Sequence, residues 1–273
     1  MKLKDARLDF EALMSEVIFG HGFLHYGYWP DGAPEVPSAE ALGRAQRAYF
    51  DRLLAAIPAE TETILDVGSG TGSNARALTE AGFKLECLCP SEQLNEMARR
   101  KLPETVKVHT VRFEDFESDK RFDMCLFAES FHYIELEPAL RQTARYARNG
   151  VVIFDYFRLP GKGTLAEGEE GTRGTHAEFL AEVARQGVFR VVEDADMTDA
   201  IIPTFQVLDH LKNVHVAPFV ARIRKDYRKA NPVRGFLAEL LLGKALNRFQ
   251  KPGRRAQSFA GKFEYRLIRL ERM

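Results

Sequence analysis

The run Ile64-Leu65-Asp66-Val67-Gly68-Ser69-Gly70-Thr71-Gly72 constrains the fold of this 273-residue chain more than any other stretch. Ile64 to Val67 read as the end of a buried strand, and three glycines follow at alternate positions. Glycine takes positive φ at no steric cost, so Gly68, Gly70 and Gly72 permit a tight turn and let main-chain N–H groups approach a ligand without Cβ interference. A helix is expected next, over 74–81, with Ala75, Leu78 and Ala81 on one face and Gly82 at its end.

The same rhythm continues. Short segments rich in apolar residues at 63–67, 84–89, 106–111, 122–128, 151–156 and 189–194 predict strands, and 74–81, 91–101, 137–147 and 175–186 predict helices between them. Strand and helix in alternation imply a parallel sheet with right-handed crossovers. Residues 5–20 and 38–57 also read as helices, the second because Leu42, Ala45, Tyr49, Leu53 and Ala56 recur at spacings of three and four. Between them, 20–37 is rich in Gly, Pro and aromatic residues, which excludes a regular helix and suggests a wall. Residues 203–258 read as mostly helical, 261–270 alternates as a last strand, and 161–174 is the expected mobile loop.

Composition narrows the function classes. Hydrophobic residues make up 45% of the chain and charged residues 29%, with no stretch near the roughly 18 apolar residues of a membrane span, so a cytoplasmic protein is expected. Three cysteines argue against a disulfide framework and fit a reducing compartment. Net charge is zero, but 219–273 carries 15 Lys and Arg against 4 Asp and Glu, leaving 24 against 35 elsewhere. That end suits a solvated helical surface, an anionic ligand or a membrane surface. The histidines lack metal-ligand spacing, so no metal is indicated, and neither a Gly-x-Ser-x-Gly elbow nor a nucleic-acid module is present.

The glycine spacing is Gly-x-Gly-x-Gly and differs from the dinucleotide fingerprint, while Asp66 stands two residues before the first glycine. In this the segment resembles the first motif of class I S-adenosylmethionine-dependent methyltransferases, whose glycine loop passes under the methionine moiety. A second segment, His25-Tyr26-Gly27-Tyr28-Trp29, resembles the N-terminal segment of the tocopherol, sterol and small-molecule methyltransferases, near the cyclopropane synthases, where it closes over cofactor and acceptor. Aromatic faces suit a sulfonium cation. The resemblance implies a Rossmann-like α/β fold with a seven-stranded, mostly parallel sheet, helices on both faces and an antiparallel last strand. It divides the chain into an N-terminal helical cap (1–60), a core (61–204 and 259–273) and a helical lid inserted before the last strand (205–258).

The resemblance also carries site residues. The glycine loop would hold the cofactor through Asp66, Gly68, Ser69, Gly70 and Gly72, with Tyr28, Trp29 and Glu129 beside it. In the family an acid at the end of the second strand binds both ribose hydroxyls; here that position is Cys89, followed by Pro90 and, within a run that keeps the family pattern, Gln93. The adenine-binding acid after the third strand is replaced by Arg112, next to Phe113, whose N–H and ring can receive adenine, with Glu114 or Asp115 available if the register shifts. Beyond the fourth strand Glu129 and His132 stand three apart near the reacting methyl, and with Tyr26 and Tyr28 they form the catalytic set, His132 first as general base. Plainer roles fit too: Cys87 and Cys89 as two buried thiols, His132 and Glu129 as loop-orienting groups. Asp155 either faces the acceptor or bonds to backbone.

The predicted activity is methyl transfer from S-adenosylmethionine to oxygen, nitrogen or carbon of a small or lipid-like acceptor. The apolar lid segment 236–249 with basic edges suits an amphiphile or peripheral membrane contact. Cys89 and Arg112 keep two alternatives open: an enzyme on this scaffold that does not transfer methyl (a cyclase, decarboxylase or isomerase), or a non-catalytic binding protein.

Overall fold

The computed structural model describes residues 22–161, 174–232 and 255–273, with 234, 236, 239, 243 and 247. The helix expected over 5–20, the interior of the 161–174 loop and most of 236–249 lie outside them.

The described elements are α1 (Ala39–Ala55), β1 (Thr63–Val67), α2 (Ser73–Glu80), β2 (Lys84–Leu88), α3 (Glu92–Lys101), β3 (Lys107–His109), β4 (Phe122–Ala128), α4 (Leu136–Tyr146), β5 (Ala147–Arg158), α5 (His176–Gln186), β6 (Phe189–Asp196), α6 (Thr198–Leu211), α7 (Ala217–Ala230), α8 (Arg255–Ala260) and β7 (Phe263–Arg272). The strands form one sheet in the order β3-β2-β1-β4-β5-β7-β6. The β1–β2, β1–β4, β2–β3 and β4–β5 pairs are parallel, and β7 runs antiparallel between β5 and β6. The seven-stranded, mostly parallel sheet and its antiparallel last strand are therefore as expected from the sequence.

Both faces are covered because successive strand residues point to opposite sides. Met124, Leu126, Val152, Phe154 and Tyr156 face one core with Tyr49 and Leu53 of α1, Leu78 of α2 and Phe205 of α6. Cys125, Phe127, Val151, Ile153 and Phe157 face the other, with Leu140 and Tyr146 of α4 and Phe179 of α5. Ser38 caps α1 by accepting from the Ala41 N–H at 3.1 Å, a contact of about 1 kcal/mol. The buried face of α1 lays Tyr49 flat on Phe154, with ring centroids 4.0 Å apart. Beyond β6 the chain runs through α6 into a π-helical turn, Lys212–Val216, and then α7. Among the described residues no helix is long and apolar enough to cross a membrane.

Candidate active site

The glycine turn leaves the carboxyl end of β1. Gly68, Gly70 and Gly72 have φ of 81°, 55° and 77°, in the region that only glycine enters freely. Their role differs in part from expectation. The N–H groups of Gly68 and Ser69 donate to the Leu88 carbonyl at 2.7 and 3.1 Å, and that of Gly72 to the Ser69 carbonyl at 2.9 Å, so three donors are used inside the protein. What the missing side chains allow is close packing: a Cβ on Gly68 would lie 2.3 Å from Ser130 Cβ, and one on Gly72 would lie 2.8 Å from Ala98 Cβ.

Asp66 precedes this turn and is buried, and its Oδ2 has no hydrogen-bond partner. Burial raises its carboxyl to about 7. A buried oxygen without a protein partner is one that a cationic amino-acid moiety can satisfy, so Asp66 fits the expected cofactor.

A strap, residues 22–29, crosses over the turn. Thr71 Oγ1 donates to the Gly22 carbonyl at 2.6 Å, His25 Nε2 meets Asn74 Oδ1 at 3.1 Å, and the Tyr26 N–H donates to Glu129 Oε1 at 2.8 Å. Thr204 of α6 holds the far end: its Oγ1 accepts from the Gly27 N–H and from Trp29 Nε1, each at 2.9 Å, and donates to the Gly27 carbonyl at 3.0 Å. Gly27 is required because a Cβ there would meet Ala45 Cβ at 2.6 Å.

Glu129 has φ of 56°, the one non-glycine residue with positive φ among those described. The cost is offset by two donors on its Oε1, the Tyr26 N–H and the Tyr265 hydroxyl, the latter at 2.7 Å. Burial pushes its carboxyl up to about 8, opposed by those two hydrogen bonds and reinforced by Asp155. A carboxyl that holds its proton at neutral pH is a poor base there.

His132 lies in the 3-10 turn Phe131–Tyr133 that follows β4. Its Nδ1 meets Asp155 Oδ1 at 2.8 Å, its backbone N–H donates to Asp155 Oδ2 at 3.1 Å, and the Tyr156 N–H donates to Asp155 Oδ1 at 2.8 Å. With Nδ1–H given to Asp155, Nε2 carries the lone pair, and it has no partner. Tyr133 and Tyr156 flank the imidazole at centroid distances of 4.0 and 4.3 Å. A cleft beside it is lined by Phe131, Ile134, Leu136, Tyr156, Phe157, Gly174 and Phe179, with His132 the single titratable imidazole, amine or acid in that wall.

Other sequence-derived residues fall elsewhere. Trp29 is buried with Ala41, Leu42, Ala45 and Val207, its indole N–H taken by Thr204, which makes it a packing residue of the strap. The Phe113 ring is in the core against Phe127, at 5.4 Å, so only its backbone remains to meet adenine; Arg112 is exposed. Cys89 is buried with Leu94, against Leu24 and Met97, while Pro90 and Gln93 are exposed. Tyr28 is half-buried, its N–H donating to the Ala45 carbonyl at 2.8 Å. Glu129 and His132 have different hydrogen-bond partners, and Asp155, which holds His132, also acts on Glu129 through its charge. The sequence reading missed Thr204 and Tyr265; a lone threonine in the apolar run Ile201-Ile202-Pro203-Thr204-Phe205 was the available signal for the first.

Known proteins are similar to this chain in sequence and in fold. The profile of the methyltransferase domain matches residues 41–190. An O-methyltransferase, cnsE, of Penicillium expansum is 30% identical over 206 residues, which span 69% of this chain and 72% of that protein. Among solved structures, the geranyl diphosphate C-methyltransferase of Streptomyces coelicolor A3(2) has a TM-score of 0.69 at 16% identity, covering 100% of this chain and 98% of that one. The cyclase SpnF has a TM-score of 0.71 at 15% identity, covering 98% and 94%. The chain therefore belongs to the methyltransferase-domain family and is an S-adenosylmethionine-dependent methyltransferase.

Proposed function

We propose that the protein methylates a hydroxyl oxygen of a small, largely apolar acceptor, with His132 as general base. The observation that carries this is the His132–Asp155 pair: a buried imidazole fixed through Nδ1, with an unpartnered Nε2 at an apolar cleft. A hydroxyl must lose its proton to become a good nucleophile, whereas a neutral amine already has its lone pair. The relative from Penicillium expansum, named as an O-methyltransferase, supports the same choice.

When bound, S-adenosylmethionine supplies an electrophilic methyl group. Asp66, Gly68, Ser69, Gly70 and Gly72 would hold its methionine end, Tyr26 and Tyr28 of the strap would cover it, and Cys89, Pro90, Gln93 and the backbone of Arg112 and Phe113 would meet the nucleoside. His132 Nε2 takes the proton of the acceptor hydroxyl, and Asp155 stabilises the imidazolium through Nδ1–H. Phe131, Ile134, Leu136, Phe157 and Phe179 keep water from the pair. Much of the remaining rate comes from alignment. In this reading Glu129 anchors the strap through Tyr26 and Tyr265, and His132 is the base.

We divide the chain as cap 1–60, core 61–204 and 259–273, and lid 205–258, and assign the lid to acceptor enclosure and peripheral membrane contact. The buried thiols Cys87, Cys89 and Cys125, which form no disulfide, support a cytoplasmic location.

The test is His132→Ala. It should lower kcat by about 10²- to 10⁴-fold while calorimetric binding of S-adenosylhomocysteine is kept. An unchanged kcat overturns the base assignment. Cys89, apolar in its surroundings where a diol acceptor is expected, favours the second reading, a scaffold enzyme that leaves methyl untransferred. A product of unchanged mass would establish that reading; a gain of one CH₂ excludes it.

A further inference from the structure

The helix α7 is packed unlike the others: none of its residues is buried. Val216, Phe219, Ile223 and Tyr227 follow one another at spacings of three, four and four, which places them on one face of a helix. They are 40%, 62%, 51% and 44% exposed, large fractions for apolar side chains. The stripe is about 16 Å long at 1.5 Å per residue. Between Ala217 and Ala230 the helix carries Arg222, Arg224, Lys225, Arg228 and Lys229 against the single acid Asp226. Arg224 turns inward to Glu239 and to Asn247, whose Oδ1 accepts from it at 2.9 Å. The other four basic residues are exposed; Arg222, 3.8 Å from Asp226, and Lys229 border the stripe, while Lys225 lies on the opposite face of the helix.

We propose that α7 is an interfacial helix that docks on an anionic lipid bilayer. Val216, Phe219, Ile223 and Tyr227 enter the headgroup–acyl boundary, and Arg222 and Lys229, in one row beside Phe219, meet lipid phosphates. The sign of the charge selects this occupant. Two copies of this chain paired through the stripe would set the Arg222 and Lys229 rows beside the seam, whereas an anionic surface is attracted by both residues. A helix with an apolar stripe, a basic flank and no buried residue is the arrangement that lies in a membrane plane. The inference deepens the lid assignment above, on which it rests, by naming the surface and its partner.

The experiment is co-sedimentation of the full chain with vesicles of phosphatidylglycerol mixed into phosphatidylcholine, and with pure phosphatidylcholine vesicles, at low and high salt. The protein should pellet with the anionic vesicles only, and less at high salt. Phe219→Glu with Ile223→Glu should abolish binding, and each of Arg222→Gln and Lys229→Gln should weaken it about fivefold. Calorimetric binding of S-adenosylhomocysteine should be unchanged in all of them, which separates loss of docking from loss of fold or of the cofactor site. No pelleting with anionic vesicles, or equal pelleting with both kinds, overturns the proposal. So does a dimer in sedimentation velocity that Phe219→Glu dissolves while vesicles stay unbound. A failure of methyl transfer with vesicle binding intact would count against the proposed reaction and leave the docking surface standing.

Discussion

Asp66 shows how one buried atom ties stability to ligand binding. Its carboxyl lies at about 7 in the folded protein against an ordinary value of 3.8, and burial is the cause. Between those values the folded state keeps a proton that the unfolded state has lost, so stability falls as pH rises through the window and the cost is fully present above about 7. Asp66→Asn removes that titration. Without ligand, the variant should be more stable than the wild type at pH 8 by on the order of 2–4 kcal/mol, and level with it near pH 4. Thermal unfolding at the two pH values measures this. The same variant should bind S-adenosylhomocysteine more weakly, so stability and affinity move in opposite directions; parallel losses would deny Asp66 a place at the cofactor. At this scale the sequence was legible where spacing limits the chemistry. Asp66 and the three glycines are in their expected places, and His132 is at the sheet end with a free nitrogen. It was not legible where a side chain's direction decides. Trp29 and Phe113 are aromatic residues in the right segments, but packing against α6 and β4 turns both rings inward.

Among the elements, the strap 22–29 depends most on a distant residue. Thr204 Oγ1 is engaged by the Gly27 N–H, the Trp29 indole and the Gly27 carbonyl. Thr204→Val keeps the shape of the side chain and leaves those three groups unpaired in a buried place. The expected cost is on the order of 2–5 kcal/mol, since each unsatisfied group costs about 1–3 kcal/mol with partial relaxation. Hydrogen exchange should accelerate at residues 24–29 more than in β4 or β5, and affinity for S-adenosylhomocysteine should drop; uniform acceleration across the sheet would show that Thr204 serves the core and not the strap. Helices and strands were legible because their periods differ: α1 and the four crossover helices lie within two residues of the expected boundaries. The strap could be read as irregular and aromatic from Gly, Pro and Tyr content. Its path over the glycine turn could not, because that path is fixed by contacts nearly two hundred residues apart in sequence, between Gly27 and Thr204.

For the molecule as a whole, Asp66 and Glu129 act in the same direction. Both carboxyls are raised by burial, to about 7 and about 8, so the ligand-free protein should lose stability steadily from about pH 5 to pH 8. Denaturant midpoints across that range check the sign, and a rising midpoint would mean that neither group is buried uncharged. Charge is also divided at this scale: a chain of net charge zero gathers 15 of its 39 basic residues after position 218, a bias visible in the sequence before any surface was known. The parallel character of the sheet followed from alternation of strands and helices, but the order of its strands did not, and one feature of that order has a cost in the cell. The strand latest in sequence, β7, is second from the edge and pairs on both sides, with β5 and with β6. On the ribosome, β5 and β6 therefore emerge well before the segment that joins them. Until it arrives each presents an open row of N–H and C=O groups, and a neighbouring nascent chain can supply the missing strand as readily as its own. The yield of active enzyme should thus be limited by how long synthesis takes to travel from β6 to β7.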